Sequence, residues 1–311
     1  MSRPVDAPPP LASGSGRVLA TGIALTAVGA VAASGKAVIV KLGFRHGVDA
    51  TTLLALRMLM AFPFFGAMAL WAWRTARIPL QPGDGWRIVL LGASGYYLSS
   101  YLDFLGLAYI SVTLERLILY LNPTLVLLLG VLLHSQRPQP RQLVALAISY
   151  GGVLLAFGHD LRIDGTATAI GSALVFASAL SYAVYLVGSG RLVGRIGAVR
   201  LTAYASCVAC GLCVGQFLLM RPMAGLWQVP AQVHWLSLLN ATVCTVLPVL
   251  AIMVGVKRIG SSLAAQVGML GPVSTIVMSL WLLDEPMGVA QMLGTGLVLV
   301  GVLLVSRVAR R

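Results

Sequence analysis

Hydrophobic residues in this chain come in long, nearly unbroken runs, separated by short clusters of Pro, Gly and charged residues. The runs fall at about 18–41, 50–73, 87–108, 111–134, 141–158, 166–188, 199–220, 235–256, 260–283 and 288–307. A helix that rises 1.5 Å per residue needs about 20 residues to cross the hydrocarbon of a bilayer, and each run is near that length. The apolar stretches lack the every-second-residue alternation of a membrane barrel, so strands are disfavoured. The pattern predicts an all-α integral membrane protein with ten transmembrane helices.

A second regularity lies on top of the first. Shifted by 149 positions, Leu121, Pro123, Gln142 and Gly152 land on Leu270, Pro272, Gln291 and Gly301, and Gly22, Gly106 and Ile110 land on Gly171, Gly255 and Ile259. One five-helix unit is used twice, over residues 17–159 and 166–308, after a Pro- and Gly-rich stretch at 1–16 that reads as a flexible cytoplasmic tail. Because five is odd, the second unit enters the membrane from the opposite side. The expected architecture is therefore two inverted repeats related by an axis in the membrane plane, a design that suits alternating access around a midplane site.

Composition agrees: 58% of the residues are hydrophobic and 10% charged, too little polar surface to wrap a soluble core of 311 residues. With the N-terminus inside, 15 of the 22 Lys and Arg residues fall in cytoplasmic segments and four (Lys41, Arg45, Arg162, Arg221) in outer ones. Both termini are then cytoplasmic, N-in and C-in. The net charge of +13 is spread over short loops beside lipid headgroups, which argues against a nucleic-acid partner. Cys207, Cys210, Cys213 and Cys244 lie inside apolar runs without His partners, so they read as small packed hydrophobes and no metal or other cofactor is expected.

Five charges stand within the expected helices, Lys36, Arg57, Asp103, Glu115 and Arg116, and all belong to the first repeat. Charges at such depth face a cavity or one another. Lys36 and Asp103 lie about one turn from the outer ends of their helices, where Glu115 and Arg116 begin the fourth, so the four can meet at one level. On an α-helical wheel Tyr96, Tyr97, Ser100, Tyr101 and Asp103 share an arc of about 160°, too polar to face lipid. Lys36, Tyr97, Tyr101, Asp103, Glu115 and Arg116 are accordingly expected to form the substrate site, with Glu115 as the carrier if protons are the coupling ion. Arg57, close to a helix end, reads as a packing residue. Ala147 and Gly151 have small-xxx-small spacing, and Pro123 and Pro272 are expected to kink their helices.

The five-helix unit with a proline in its fourth helix (Pro123, Pro272), an acidic break before the fifth (Asp284-Glu285) and a Gly-Val-Leu-Leu end at Gly152 and Gly301 resembles the EamA-type transporters of the drug/metabolite transporter superfamily. Arg57, in Leu54-Ala55-Leu56-Arg57, resembles a position often Arg in that family. The first copy departs at its break, which reads Ser135-Gln136 where the family commonly has Glu, and by its Glu115-Arg116 pair. The resemblance implies secondary-active efflux of a small metabolite or drug, an amino acid or similar solute being favoured, from a cell membrane such as a bacterial inner membrane. The competing classes are an intramembrane lipid-modifying enzyme and a lipid scramblase or structural membrane protein. The first lacks clustered carboxylates to hold a divalent metal, since only Asp284 and Glu285 are adjacent.

Overall fold

The computed structural model describes residues 13–134, 140–268, 270–285 and 288–308. Most of the expected tail at 1–16 and the polar break at Ser135–Arg137 lie outside the described residues, as does Pro286. The described chain is helical: α1 (Ser13–Arg45), α2 (Ala50–Arg74), α3 (Asp84–Gly92), α4 (Ser99–Leu107), α5 (Val112–Leu119), α6 (Asn122–His134), α7 (Pro140–Ile196), α8 (Ala198–Met220), α9 (Ala224–Trp227), α10 (Ala231–Ala241), α11 (Leu247–Gly268), α12 (Leu270–Leu283) and α13 (Val289–Val308). Two π-helical turns, Ala93–Leu98 and Thr242–Val246, join α3 to α4 and α10 to α11. Among the described residues, seven helices are long and apolar enough to span a membrane. All six tryptophans are exposed, Trp71, Trp73 and Trp86 at one end of the bundle and Trp227, Trp235 and Trp281 at the other. That distribution matches two interfacial aromatic belts.

The repeats pack reciprocally. α1 lies against α11 and α12, while the C-terminal part of α7 lies against α4, α5 and α6. A β-carbon added at Gly171 would sit 3.0 Å from the Gly106 carbonyl oxygen and 2.6 Å from Ile110, and one at Gly106 would sit 2.9 Å from the Gly171 carbonyl oxygen. The same contacts recur with the halves exchanged: a β-carbon at Gly255 would lie 3.2 Å from the Gly22 carbonyl oxygen, and one at Gly22 would run into Ile259. The four glycines and two isoleucines paired by the 149-residue shift are thus residues through which the halves touch. Without side chains, the backbones approach closely enough to replace lipid contact by dense packing. α2 and α8, equivalent under the shift, pack against each other.

Several local expectations are altered. Ala147 is exposed and a β-carbon at Gly151 would meet nothing within 4 Å. Its neighbour Gly152 makes the close approach instead, where an added β-carbon would sit 2.6 Å from the Gly294 carbonyl oxygen. Pro123 does not kink a continuous helix. The chain breaks at Tyr120–Leu121, and Pro123 stands in the first turn of α6, where its missing N–H costs no helical bond. Pro272 lies on α12, three residues after a position outside the described residues. The expected helices at 141–158 and 166–188 are present as the two parts of α7, which meet at Gly165, where φ 38° and ψ −108° are not helical.

α11 runs through the loop expected at 257–259, whereas the first repeat breaks at the equivalent point before α5. The sequence explains the difference. Ser111 caps α5, its hydroxyl accepting from the Leu114 N–H at 3.1 Å, and its counterpart is Gly260, which has no side chain to cap with.

Glu285, from the second repeat, adds a further cap to α5: the Val112 N–H donates to its carboxylate at 3.0 and 3.2 Å. Arg45 donates to the Leu283 carbonyl beside it. Burial pushes the Glu285 carboxyl above the ordinary carboxylate range, outweighing the Val112 N–H and the nearby Lys41 and Arg45 charges that pull it down. A raised folded-state value means that the contribution of Glu285 to stability is present at low pH and is lost as pH rises through that value.

Both features set expectations for stability. Replacing Gly171 by Leu should sharply reduce folded protein, while Gly190→Leu, where a β-carbon would meet nothing within 4 Å, should leave it near native, as read by fluorescence-detected size exclusion. Glu285→Ala should lower stability by about 1 kcal/mol through loss of the cap. Glu285→Gln should hold the cap and remove the loss of stability that accompanies rising pH through the Glu285 titration; an unchanged melting profile would show that Glu285 is not its source.

Candidate functional site

Where the repeats meet, the close-packed helices leave a cavity of about 360 Å³, within the range of small-molecule sites. α2 contributes Arg57, Met58 and Phe65, and α8 contributes Thr202, Ser206 and Ala209. The two π turns contribute Tyr96, Cys244 and Thr245, followed by Ser100 on α4 and Pro248, Val249, Ile252 and Met253 on α11. The 149-residue shift pairs Arg57 with Ser206, Tyr96 with Thr245 and Ser100 with Val249, so both repeats present equivalent positions to the same space. The π turns are themselves equivalent, since Ala93 pairs with Thr242. Such turns inside α-helices frequently mark functional sites.

Arg57 is 6% exposed. Its Nε donates to Thr245 Oγ1 at 3.0 Å, and its guanidinium lies 5.4 Å from the centre of the Phe104 ring. Thr245 in turn donates to the Asn240 carbonyl oxygen, five residues back across the π turn, at 2.8 Å. The Arg57 Nη1 and Ser206 Oγ atoms are buried without a hydrogen-bond partner. On another wall, Tyr96 meets Tyr185 with 3.2 Å between hydroxyls and rings 5.1 Å apart edge to face.

The charged residues expected at the site do come together. Lys36 Nζ lies 2.6 Å from Asp103 Oδ2, and Arg116 Nε lies 3.2 Å from Glu115 Oε2. Asp103 is 2% exposed and Glu115 fully buried, and the Glu115 carboxyl feels Asp103 and Lys36 as well as Arg116. Neither Glu115 oxygen has a hydrogen-bond partner, and Arg116 Nε and Nη2 also lack one. This is a cluster of two buried acids and two half-buried cations, one turn along α4 from the cavity residue Ser100.

Tyr97 and Tyr101 are placed elsewhere. Their rings stack 6.3 Å apart, and the Tyr97 hydroxyl donates to Gln216 Oε1 at 3.1 Å. None of the six expected site residues lines the cavity itself. From the polar arc that carries Tyr96, Tyr97, Ser100, Tyr101 and Asp103, the cavity takes Tyr96 and Ser100. The cavity residues that pattern reading passed over, Arg57 above all, carried one usable signal, the register that sets Arg57 opposite Ser206. Among the described residues, no group of three His, Cys, Asp or Glu side chains is arranged to hold a metal, and the four cysteines are free thiols, three of them buried.

The EamA-like transporter family model matches residues 20–158 and again residues 169–307. An uncharacterized transporter of Bacillus subtilis, YcbK, is 31% identical over 288 residues, covering 90% of this chain and 91% of its own length. Another from the same organism, YyaM, is 29% identical over 225 residues (71% and 73%), and an uncharacterized transporter of Archaeoglobus fulgidus is 26% identical over 174 (55% and 58%). A solved crystal structure superimposes with a TM-score of 0.56 over 96% of this chain and 99% of its own at 21% identity, a likeness of fold. With its family pattern present twice and its two halves packed reciprocally around one cavity, the chain belongs to the EamA-like transporter family, membrane transporters of small solutes.

Proposed function

We propose that the protein is a secondary-active exporter of a small organic solute, an amino acid or a similar metabolite, working by alternating access in a cell membrane. Ten spans, with both termini in the cytoplasm, place the halves in opposite orientations. The observation that carries this reading is the cavity, walled by equivalent positions of both repeats. Rocking of one half on the other about the glycine contacts would open it first to one side and then to the other.

Lys36, Asp103, Glu115 and Arg116 form the coupling unit in this reading. A buried carboxylate with no hydrogen-bond donor of its own is a costly arrangement unless a proton or a nearby charge relieves it, and protonation of Glu115 would change the balance of the cluster. Because Asp103 and Ser100 share α4, a change of charge at the cluster acts on a helix that lines the cavity. Tyr97, bound to Gln216 of the other repeat, and Tyr101, stacked on it, would complete the solute path on its outer side.

Reporter fusions after Arg311 and at Asp160 should mark opposite sides of the membrane, and the same side for both would overturn the ten-span arrangement. In proteoliposomes, Glu115→Gln should abolish solute accumulation driven by a pH gradient while counterflow exchange continues. Native accumulation with native pH dependence in both Glu115→Gln and Lys36→Ala would remove the cluster from the transport cycle.

A further inference from the structure

We propose that the cavity recognises a carboxylate: Arg57 receives the acid group of a solute whose body is apolar, and Ser206, its counterpart in the other repeat, donates a second hydrogen bond. The inference rests on the transport reading above and narrows its solute from an amino acid to a monocarboxylate without an amino group.

The guanidinium is held from two sides, by Thr245 at Nε and by the Phe104 ring beneath it, which fixes its plane before any ligand arrives. Nη1 is left with no partner at a buried position, and across the cavity Ser206 Oγ, on a side chain 3% exposed, is also unpartnered. A buried guanidinium N–H without an acceptor is costly, and a planar carboxylate matches its donor geometry better than any other common anionic group except phosphate.

No protein acid fills that role in the described structure. Among the described residues the cavity lining contains no Asp or Glu, and Asp103, the acid whose charge reaches Arg57, is engaged by Lys36 at 2.6 Å. The remaining lining, with Met58, Phe65, Val249, Ile252 and Met253, suits an apolar body and offers nothing anionic to pair with a cationic amine. A phosphate carries more charge than one guanidinium neutralises, so a monocarboxylate fits the site better.

Cys244 lines the same cavity and reports its charge without knowledge of the natural solute. In purified protein, modification by the anionic sulfonatoethyl and cationic trimethylammonioethyl methanethiosulfonates is followed by mass spectrometry, which distinguishes Cys244 from Cys207, Cys210 and Cys213. Relative to a free thiol, Cys244 should favour the anionic reagent by about tenfold, a preference that Arg57→Lys keeps and Arg57→Gln cuts to the smaller part supplied by Arg116 and Lys36, whose charges also reach the thiol. A labelled Cys244 with no charge preference, or with a preference that Arg57→Gln leaves undiminished, overturns the carboxylate assignment and leaves transport standing. A Cys244 that neither reagent reaches means that solutes do not enter the cavity, and both readings fall. Native protein supplies the arm that needs no variant: phenylacetate should raise the melting temperature while phenylacetamide and phenethylamine do not, and equal shifts from all three overturn the assignment.

Discussion

The structure depends on backbone approaching backbone across the two repeats. Gly106 and Gly171 present their carbonyls to each other's α-carbons, and in the equivalent pair the Gly22 carbonyl approaches Gly255 while Gly22 itself packs against Ile259. In a bilayer, apolar side chains gain little from meeting one another because lipid tails are equally apolar, so cohesion comes from close packing and from polar groups. The glycines supply the first. Hydrogen bonds between the halves, such as Ser34 to the Gly271 carbonyl and Ser178 to the Ser99 carbonyl, supply the second.

Once α1 is fixed on α11 and α7 on α4, another equivalent pair, α2 and α8, closes around a space that the other helices do not fill. The π turns face this space, and the side chains just beyond them line it. The cost of a buried cation is offset by position. Arg57 draws on Thr245 from the opposite repeat and on a ring of its own repeat, so the same residue ties the halves together and faces the cavity. Its role in packing and its role toward a ligand are not alternatives.

Much of this architecture is legible in the sequence, and the part that is not has a definite physical origin. The apolar runs and the 149-residue register disclose helices, repeats and contact residues, because all three are set by spacing and residue size. The meeting of Lys36, Asp103, Glu115 and Arg116 is legible from depth alone, since unpaired charge is expensive in lipid. The lining of the cavity is not legible in the same way: the wheel sets Tyr96 and Ser100 on one arc with Tyr97 and Tyr101, and which of them reach the space is decided by packing between the repeats. Helix ends also depart where a cap decides them. Ser111 with Glu285 ends one helix and begins another, and Gly260, lacking a side chain, lets α11 run on.

The pairing of Arg57 with Ser206 makes the cavity chemically one-sided although its walls are built from equivalent positions. A molecule held by its charge is tethered to the first repeat throughout the cycle and meets the second mainly through hydroxyls and apolar surface. The first repeat would then serve as the carrier of the cargo and the second as the shutter. Directionality would be written into a duplicated protein by a single unmatched residue, so that exchanging the amino acids at these two positions would reverse which half keeps hold of the passenger.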